Sequence, residues 1–164
     1  MKKGIIHIEH TKILERVHTH TYYIGEARKT AGAPPHLAAE LQTSYSNKDI
    51  LTQHIHTSIA ETARMLTRYL GICSIKHNNE TFCSTLFIKV PPNYPPECIP
   101  QIARTVEKYI VMRTLEQWLM QCKPDEAPSA GQESRIAAAE LRELLSVRLR
   151  PGNRENLNDN NIEI

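Results

Sequence analysis

The stretch "SNKDILTQHIHTSIAETARMLTRYLG", residues 46–71, carries the strongest structural signal in the sequence. Its apolar residues recur at intervals of three or four, which places them on one face of an α-helix of about six turns. Ser46 followed by Asp49 resembles a capping box, and Gly71 readily adopts the left-handed conformation past a helix end. The pattern predicts a helix near residues 47–70 with this apolar stripe: Leu51, Ile55, Ile59, Ala63, Leu66 and Leu70.

The periodicity changes to two directly after this helix. Residues 72–90, "ICSIKHNNETFCSTLFIKV", have Asn78-Asn79 near their middle, and asparagine tolerates the positive φ of a tight turn. A β-hairpin is therefore predicted, and a two-stranded hairpin is marginal alone, so it must lie on helices or on a neighbour's strand. One face of the second strand is expected to carry Phe82, Leu86, Ile88 and Val90, with Ser84 as a polar exception.

A proline-rich junction follows the hairpin. Residues 86–100, "LFIKVPPNYPPECIP", hold five of the ten prolines in the chain. Proline ends a strand and stiffens a connector, so the junction is expected to fix the angle between the hairpin and the next helix. The simpler interpretation is loop stiffening that lowers the entropy of the unfolded chain.

The remaining segments complete a mainly α fold. Helices are predicted near residues 10–30, 97–122 and 132–149, and the second of these is apolar on so many sides that it should be central in the core. Residues 4–8 are expected to form a short strand or an arm, and residues 123–131 a polar loop. The predicted architecture is a four-helix bundle with one inserted β-hairpin and extended terminal arms, in one domain over residues 1–152.

The last segment, residues 153–164, is polar and rich in asparagine. Such a composition predicts a flexible tail that is disordered in the monomer. Its spaced apolar residues, Leu157, Ile162 and Ile164, are expected to dock on a partner during assembly, with an ordinary frayed terminus as the alternative.

Composition excludes several classes of protein. The 164 residues include 20 Lys and Arg against 18 Asp and Glu, a near balance that argues against a dedicated nucleic-acid binder. No secretion signal and no apolar stretch of about 20 residues is visible. We therefore expect a soluble protein, made in the cytoplasm, with no membrane partner. Four cysteines without a CxxC pair suit free thiols in a reducing compartment.

Catalytic and metal-binding motifs are not apparent. His54 and His56 lie two residues apart on a predicted helix, where side chains point about 200° away from each other and do not chelate together. A cysteine–histidine pair such as Cys83 with His77 is arithmetically possible, but nothing in the local sequence singles it out. The sequence therefore predicts no catalytic residue, no metal ion and no cofactor.

Two regions are candidates for partner binding. Phe82, Leu86 and Phe87 give the hairpin apolar atoms on both faces, which predicts a contact between subunits. Arg148 and Arg150 lie at the end of the last helix. They either offset the negative end of that helix or contact an acidic surface of a partner.

The order of these segments resembles a known family. A hairpin after a long helix, "L-x-I-x-V-P-P-N-Y" at 86–94, "L-E-Q-W-L" at 115–119 and "R-L-R-P" at 148–151 are similar to head–tail connectors of tailed bacteriophages, especially of Bacteroides-type hosts. The resemblance covers roughly residues 20–152. It implies a structural virion subunit in a ring of usually twelve copies, bound to the portal protein and other neck or tail proteins, with DNA passing through the centre.

Two alternatives remain open from the sequence. A small helical nucleic-acid-binding or regulatory module would require a one-sided basic surface. A metal- or thiol-dependent enzyme would require a site assembled from residues distant in the sequence. The connector interpretation requires neither a one-sided basic surface nor an assembled catalytic site.

Overall fold

Four helices and a small sheet make up the part of the chain that the computed structural model describes, residues 2–32, 34–36, 43, 47–148 and 162–163. The prediction of a mainly α fold with four helices and an inserted hairpin is confirmed. The elements are β1 (Lys2–Glu9), α1 (His10–Thr30), α2 (Lys48–Leu70), β2 (Ile72–Asn78), β3 (Cys83–Val90), a 3₁₀ turn (Pro96–Cys98), α3 (Ile99–Cys122), α4 (Ala127–Ser146) and β4 (Ile162–Glu163).

Helix α2 buries the apolar face that the sequence predicts. All six residues of that stripe are buried, and they pack into the common core of the helices and the sheet. The helix ends at Gly71, whose φ of 94° is readily available only to glycine. Ser46, the first residue of the predicted capping box, lies outside the described residues.

The sheet has the strand order β2-β3-β1-β4. The N-terminal segment is therefore a strand and not an arm, because β1 pairs antiparallel with β3 along its whole length, from Lys2 opposite Val90 to Glu9 opposite Cys83. This pairing satisfies one backbone edge of the hairpin and buries Ile6 and Ile8.

The hairpin strands are confirmed, but the predicted turn is wrong in detail. The turn comprises four residues, 79–82, rather than the two asparagines. The Asn78 side-chain oxygen accepts hydrogen bonds from the backbone N–H groups of Glu80 and Thr81, at 3.0 and 3.3 Å. The positive φ, 47°, falls on Phe82. Phe82 is consequently a turn residue, and Ser84 joins Leu86 on the buried face of β3.

Helix α3 is the central helix of the core, as predicted. It contacts α1, α2, α4 and β1, and buries residues on most of its circumference. Although it is so apolar, neither α3 nor any other described helix has the length and apolarity needed to cross a bilayer.

Helix α4 begins earlier than predicted. The expected polar loop at 123–131 is wrong beyond Glu126, because α4 starts at Ala127. Pro128 lies in the first turn, where a helix needs no N–H donor, so it does not delay the start. Ala127, Ala130 and Gly131 are buried, and their small side chains allow α4 to lie close to α3.

Candidate functional site

Three histidines from three different elements meet beside the hairpin. His10 is the first residue of α1, His56 lies in α2, and His77 is in β2. The backbone N–H of His10 donates a hydrogen bond of 2.9 Å to the Phe82 carbonyl oxygen, which ties the start of α1 to the turn. One ring nitrogen from each histidine lies within 4.8 Å of the other two. We call these three residues the histidine cluster.

Ser84 of β3 joins two members of the histidine cluster. Its hydroxyl oxygen lies 2.6 Å from Nε2 of His10 and 2.7 Å from Nδ1 of His77. A serine hydroxyl donates one hydrogen bond and accepts others, so Ser84 can donate to one ring and accept from the other. Because both nitrogens point at the same oxygen atom, they converge on one small volume.

The ring of His56 contacts the rings of both other members of the cluster. Its ring centroid lies 5.1 Å from that of His10 and 4.6 Å from that of His77. Its Nε2 is buried and forms no hydrogen bond among the described residues. A buried nitrogen without a partner costs about 1–3 kcal/mol, so its retention calls for a physical reason.

Two imidazoles of the cluster, those of His10 and His56, have a lowered pKa and are neutral at physiological pH. Burial lowers the pKa of His10 to about 4, and repulsion from the positive forms of His56 and His77 adds to this effect. Burial likewise lowers the pKa of His56, with a further contribution from His77. Neutral imidazoles carry a free lone pair at physiological pH, which is the form that coordinates metal ions.

A serine beside histidine also occurs in enzymes that use serine as a nucleophile. Ser84, however, is 0% exposed, so its hydroxyl offers no surface to a substrate. The pair of Cys83 with His77, possible from the sequence but not singled out by it, does not form: Nδ1 of His77 bonds to Ser84, and the Cys83 thiol points to the Ser84 carbonyl oxygen at 3.8 Å. The chemistry that suits this cluster is binding rather than nucleophilic attack.

Sequence spacing gave no signal for the cluster because its members come from separate elements. The argument about His54 and His56 holds, since His54 lies outside the cluster and its side chain interacts with Gln121 of α3. The convergence depends on α1 starting immediately after β1, and on His77 lying opposite Ser84 in the hairpin register.

The three predicted contact residues of the hairpin, Phe82, Leu86 and Phe87, differ in their burial. Phe82 is half-buried in the turn, with the Lys48 ammonium 4.1 Å from its ring centroid. Leu86 is fully buried, so it belongs to the core of the subunit and not to a contact surface. Phe87 is 40% exposed on the opposite face of β3. Of the three, Phe87 is the one with a large exposed apolar surface.

Phe87 lies at the centre of the outer face of the sheet. In the strand register it stands between Ile5 of β1 and Ser74 of β2. Ile5 is half-buried, and the side chains around this pair are exposed and largely polar. These surrounding residues are Lys3, His7, Ser74, Lys76 and Lys89. We call this surface the outer sheet face.

Arg148 binds the end of its own helix. Its Nη1 donates hydrogen bonds of 2.7 Å to the carbonyl oxygens of Leu145 and Val147, and its Nη2 donates one of 3.0 Å to Tyr69. Its guanidinium also lies 5.6 Å from the ring centroid of Tyr94. These contacts favour the capping interpretation of Arg148 over a contact with a partner.

The C-terminal tail is described only at Ile162–Glu163. This two-residue strand, β4, pairs parallel to β1, with Ile162 opposite Gly4. The other predicted contact residues of this region, Arg150, Leu157 and Ile164, lie outside the described residues. The tail thus reaches the outer edge of β1 in a single chain, a position that the sequence did not predict.

Comparison with known proteins adds no further evidence about the site. No protein-family model, curated protein or solved structure matches the chain.

Proposed function

We propose that this chain is a structural subunit of a bacteriophage neck, a head-to-tail connector that forms a ring between the portal and the tail and passes DNA through its centre. The observation that carries the proposal is the outer sheet face, where Phe87 is exposed at the centre of a sheet whose opposite face is buried against α2 and α3. The proposed site of action is the virion, after synthesis in the host cytoplasm.

The edges of the sheet suit repeated contacts between copies. Within the described residues β2 pairs on one side only, with β3. At the other edge β4 covers only Gly4 and Ile5 of β1. Strand edges with free backbone groups readily pair with another chain. Two different edges meeting head to tail give a heterologous contact, which generates a ring when the rotation closes.

The charges around Phe87 indicate the kind of surface it meets. Lys3, Lys76 and Lys89 are exposed on the outer sheet face. They supply positive charge for an acidic surface of a neighbouring subunit or portal protein, and for non-specific contact with DNA in the channel. The number of copies, twelve, comes from the resemblance to connectors and not from the geometry.

A metal-dependent enzyme is the second candidate, and the histidine cluster favours it. A thiol-dependent enzyme is less well supported, because burial raises the pKa of Cys73 to about 11 and also raises the pKa of Cys98 and Cys122. A protonated thiol is a poor nucleophile. The outer sheet face gives the regulatory, nucleic-acid-binding alternative a basic surface, but the chain lacks the overall charge excess that such modules carry.

The experiment compares Phe87→Asp with Met120→Asp. Both positions are exposed and apolar, but Met120 lies on α3, away from the sheet. The purified variants are mixed with the portal protein of the same phage, and rings are counted by negative-stain electron microscopy and sized by light scattering. We expect Phe87→Asp to reduce ring assembly with helicity unchanged, and Met120→Asp to assemble normally. A wild-type chain that stays monomeric and never binds the portal would contradict the proposal.

A further inference from the structure

We propose that His10, His56 and His77 bind one divalent transition-metal ion, with zinc as the expected occupant, and that this ion ties α1, α2 and the hairpin together. This inference goes beyond the proposed connector function and does not depend on it. A connector subunit or an enzyme would be stabilised in the same way.

The donor set fits zinc. Imidazole nitrogens bind zinc at about 2.0–2.1 Å, and three histidines leave a fourth tetrahedral position for an oxygen ligand. Nitrogens around a tetrahedral zinc ion lie about 3.4 Å apart, by the geometry of those bonds. The three ring nitrogens here lie within 4.8 Å of one another, so small side-chain rotations bring them onto one ion.

Ser84 marks where the ion would lie. Nε2 of His10 and Nδ1 of His77 already point at its hydroxyl oxygen from 2.6 and 2.7 Å. An ion beside this hydroxyl would bind a lone pair of each ring, and the ring that now donates its N–H to Ser84 would move that proton to its other nitrogen. The hydroxyl oxygen or a water molecule would fill the fourth position. Ser84 is held in the hairpin register directly opposite His77, which keeps both residues at the site.

The unpaired nitrogen of His56 is an independent indication of a ligand. It is buried and has no hydrogen-bond partner in the part of the chain that the structure describes, although the ring lies between two other imidazoles. Metal coordination would give this lone pair a partner. Packing of the three rings alone would leave it unsatisfied.

An ion has a route to the cluster from the surface. His77 is exposed on the hairpin, His56 is half-buried, and His10 is buried behind them. Coordination would proceed inward from His77, and the bound ion would join a helix start, a helix interior and a strand. A metal that binds the folded chain and not the unfolded chain raises the free energy of unfolding with the logarithm of the metal concentration above Kd.

The test uses zinc chloride and cobalt chloride with the purified chain. Isothermal titration calorimetry is expected to show one ion per chain, and cobalt is expected to give the visible absorption of a tetrahedral complex without a sulfur-to-cobalt band. The last criterion separates the histidine cluster from the four free cysteines. At a hundredfold excess over Kd, zinc is expected to raise the midpoint of thermal unfolding by about 5–10 °C.

Matched variants assign the ligands. His56→Ala and His77→Ala each remove one ligand, and each is expected to weaken zinc binding by at least the roughly 10–100-fold that loss of an outer-shell partner of a metal ligand costs. His54→Ala is the control, because His54 shares α2 and also has a buried, unpartnered Nε2, yet lies outside the cluster. His77 is exposed, so its replacement leaves the fold intact for measurement. Failure of the wild-type chain to bind zinc, or equal binding by the His77→Ala variant, would overturn the proposal.

Discussion

The hydroxyl of Tyr94 donates a hydrogen bond of 2.8 Å to the carbonyl oxygen of Leu144, and so joins the proline-rich junction to the last turn of α4. Tyr94 is 1% exposed, and its backbone N–H donates to the Pro91 carbonyl oxygen at 3.0 Å. Prolines on both sides limit the conformations of this turn. The stiff junction therefore positions one buried aromatic side chain against the end of a helix that is distant in the sequence.

Tyr94→Phe tests this contact. The variant keeps the ring and its packing but removes the hydroxyl, so we expect the free energy of unfolding to fall by about 0.5–1.5 kcal/mol. Urea denaturation followed by circular dichroism measures the change. Tyr23→Phe is the control, because Tyr23 is largely exposed and its replacement is expected to leave stability unchanged. Equal effects of the two replacements would contradict a specific role for the Tyr94 hydrogen bond.

Gly131→Ala tests the close approach of α4 to α3. An added Cβ would lie 2.5 Å from Oε1 and 3.0 Å from Cδ of Glu116. Glu116 is not free to move without loss, because its carboxylate accepts hydrogen bonds from Arg113 at 2.8 Å and from Ser134 at 3.1 Å. Alanine is the better helix former by about 0.5–1 kcal/mol. The steric conflict is expected to outweigh that gain.

The expected result for Gly131→Ala is a net loss of about 1–3 kcal/mol of unfolding free energy, the usual cost of overpacking. Urea denaturation measures it beside Gln132→Ala, an exposed position on the same helix. Gln132→Ala is expected to be neutral or slightly stabilising. A Gly131→Ala variant more stable than the wild type would show that Glu116 moves aside freely.

A structural feature of this molecule is predictable from the sequence when the residues that determine it are close together in the chain. The stripe from Leu51 to Leu70 and the stop at Gly71 are local, and they predicted α2 to within a residue. The pairing of β1 with β3 joins the first residues of the chain to the hairpin, so periodicity alone left a strand or an arm open. The histidine cluster depends on that same pairing. Because it needs three elements in place, only the folded chain reveals it.

The predictions for the start of α4 and for the turn before β3 were wrong for a different reason. The polar composition of residues 123–131 predicts a loop that includes Pro128, although proline in a first helical turn is favourable. The sequence predicts the positive φ at asparagine, yet it falls on Phe82, while the Asn78 side chain accepts hydrogen bonds from the turn backbone. At both places the local sequence allows more than one backbone conformation, and packing against the rest of the protein determines which one forms.

The ion pair of Glu61 with Arg113 gives a pH-dependent contribution to stability. Burial alone would raise the pKa of Glu61, but hydrogen bonds from Arg113 and Tyr109, with the positive charge of Arg113, outweigh it and lower the pKa below its usual value of 4.5. A carboxyl group whose pKa is lower in the folded state stabilises the fold above its unfolded pKa. That contribution is lost as the pH falls through the folded-state pKa.

Glu61→Gln isolates this contribution. We expect the variant to be less stable than the wild type at pH 7, and the difference in unfolding free energy to shrink as the pH is lowered below about 4.5, where the unfolded carboxyl becomes protonated. Denaturation of both proteins at a series of pH values measures the difference and cancels the titration of other groups. A difference that stays constant down to low pH would show that the charge of Glu61 contributes nothing.

Deleting residues 153–164 tests the role of the C-terminal tail. The deletion removes β4, which pairs with β1 only at Gly4 and Ile5, whereas β3 covers β1 along its whole length. The domain is therefore expected to keep its helicity and thermal midpoint. Assembly is expected to weaken if the tail of one subunit takes this same β1 edge on its neighbour, an exchange that needs no new contact. Ring yield with portal protein, compared with the full chain at equal concentration, measures it, and unchanged yield would reduce the tail to a frayed terminus.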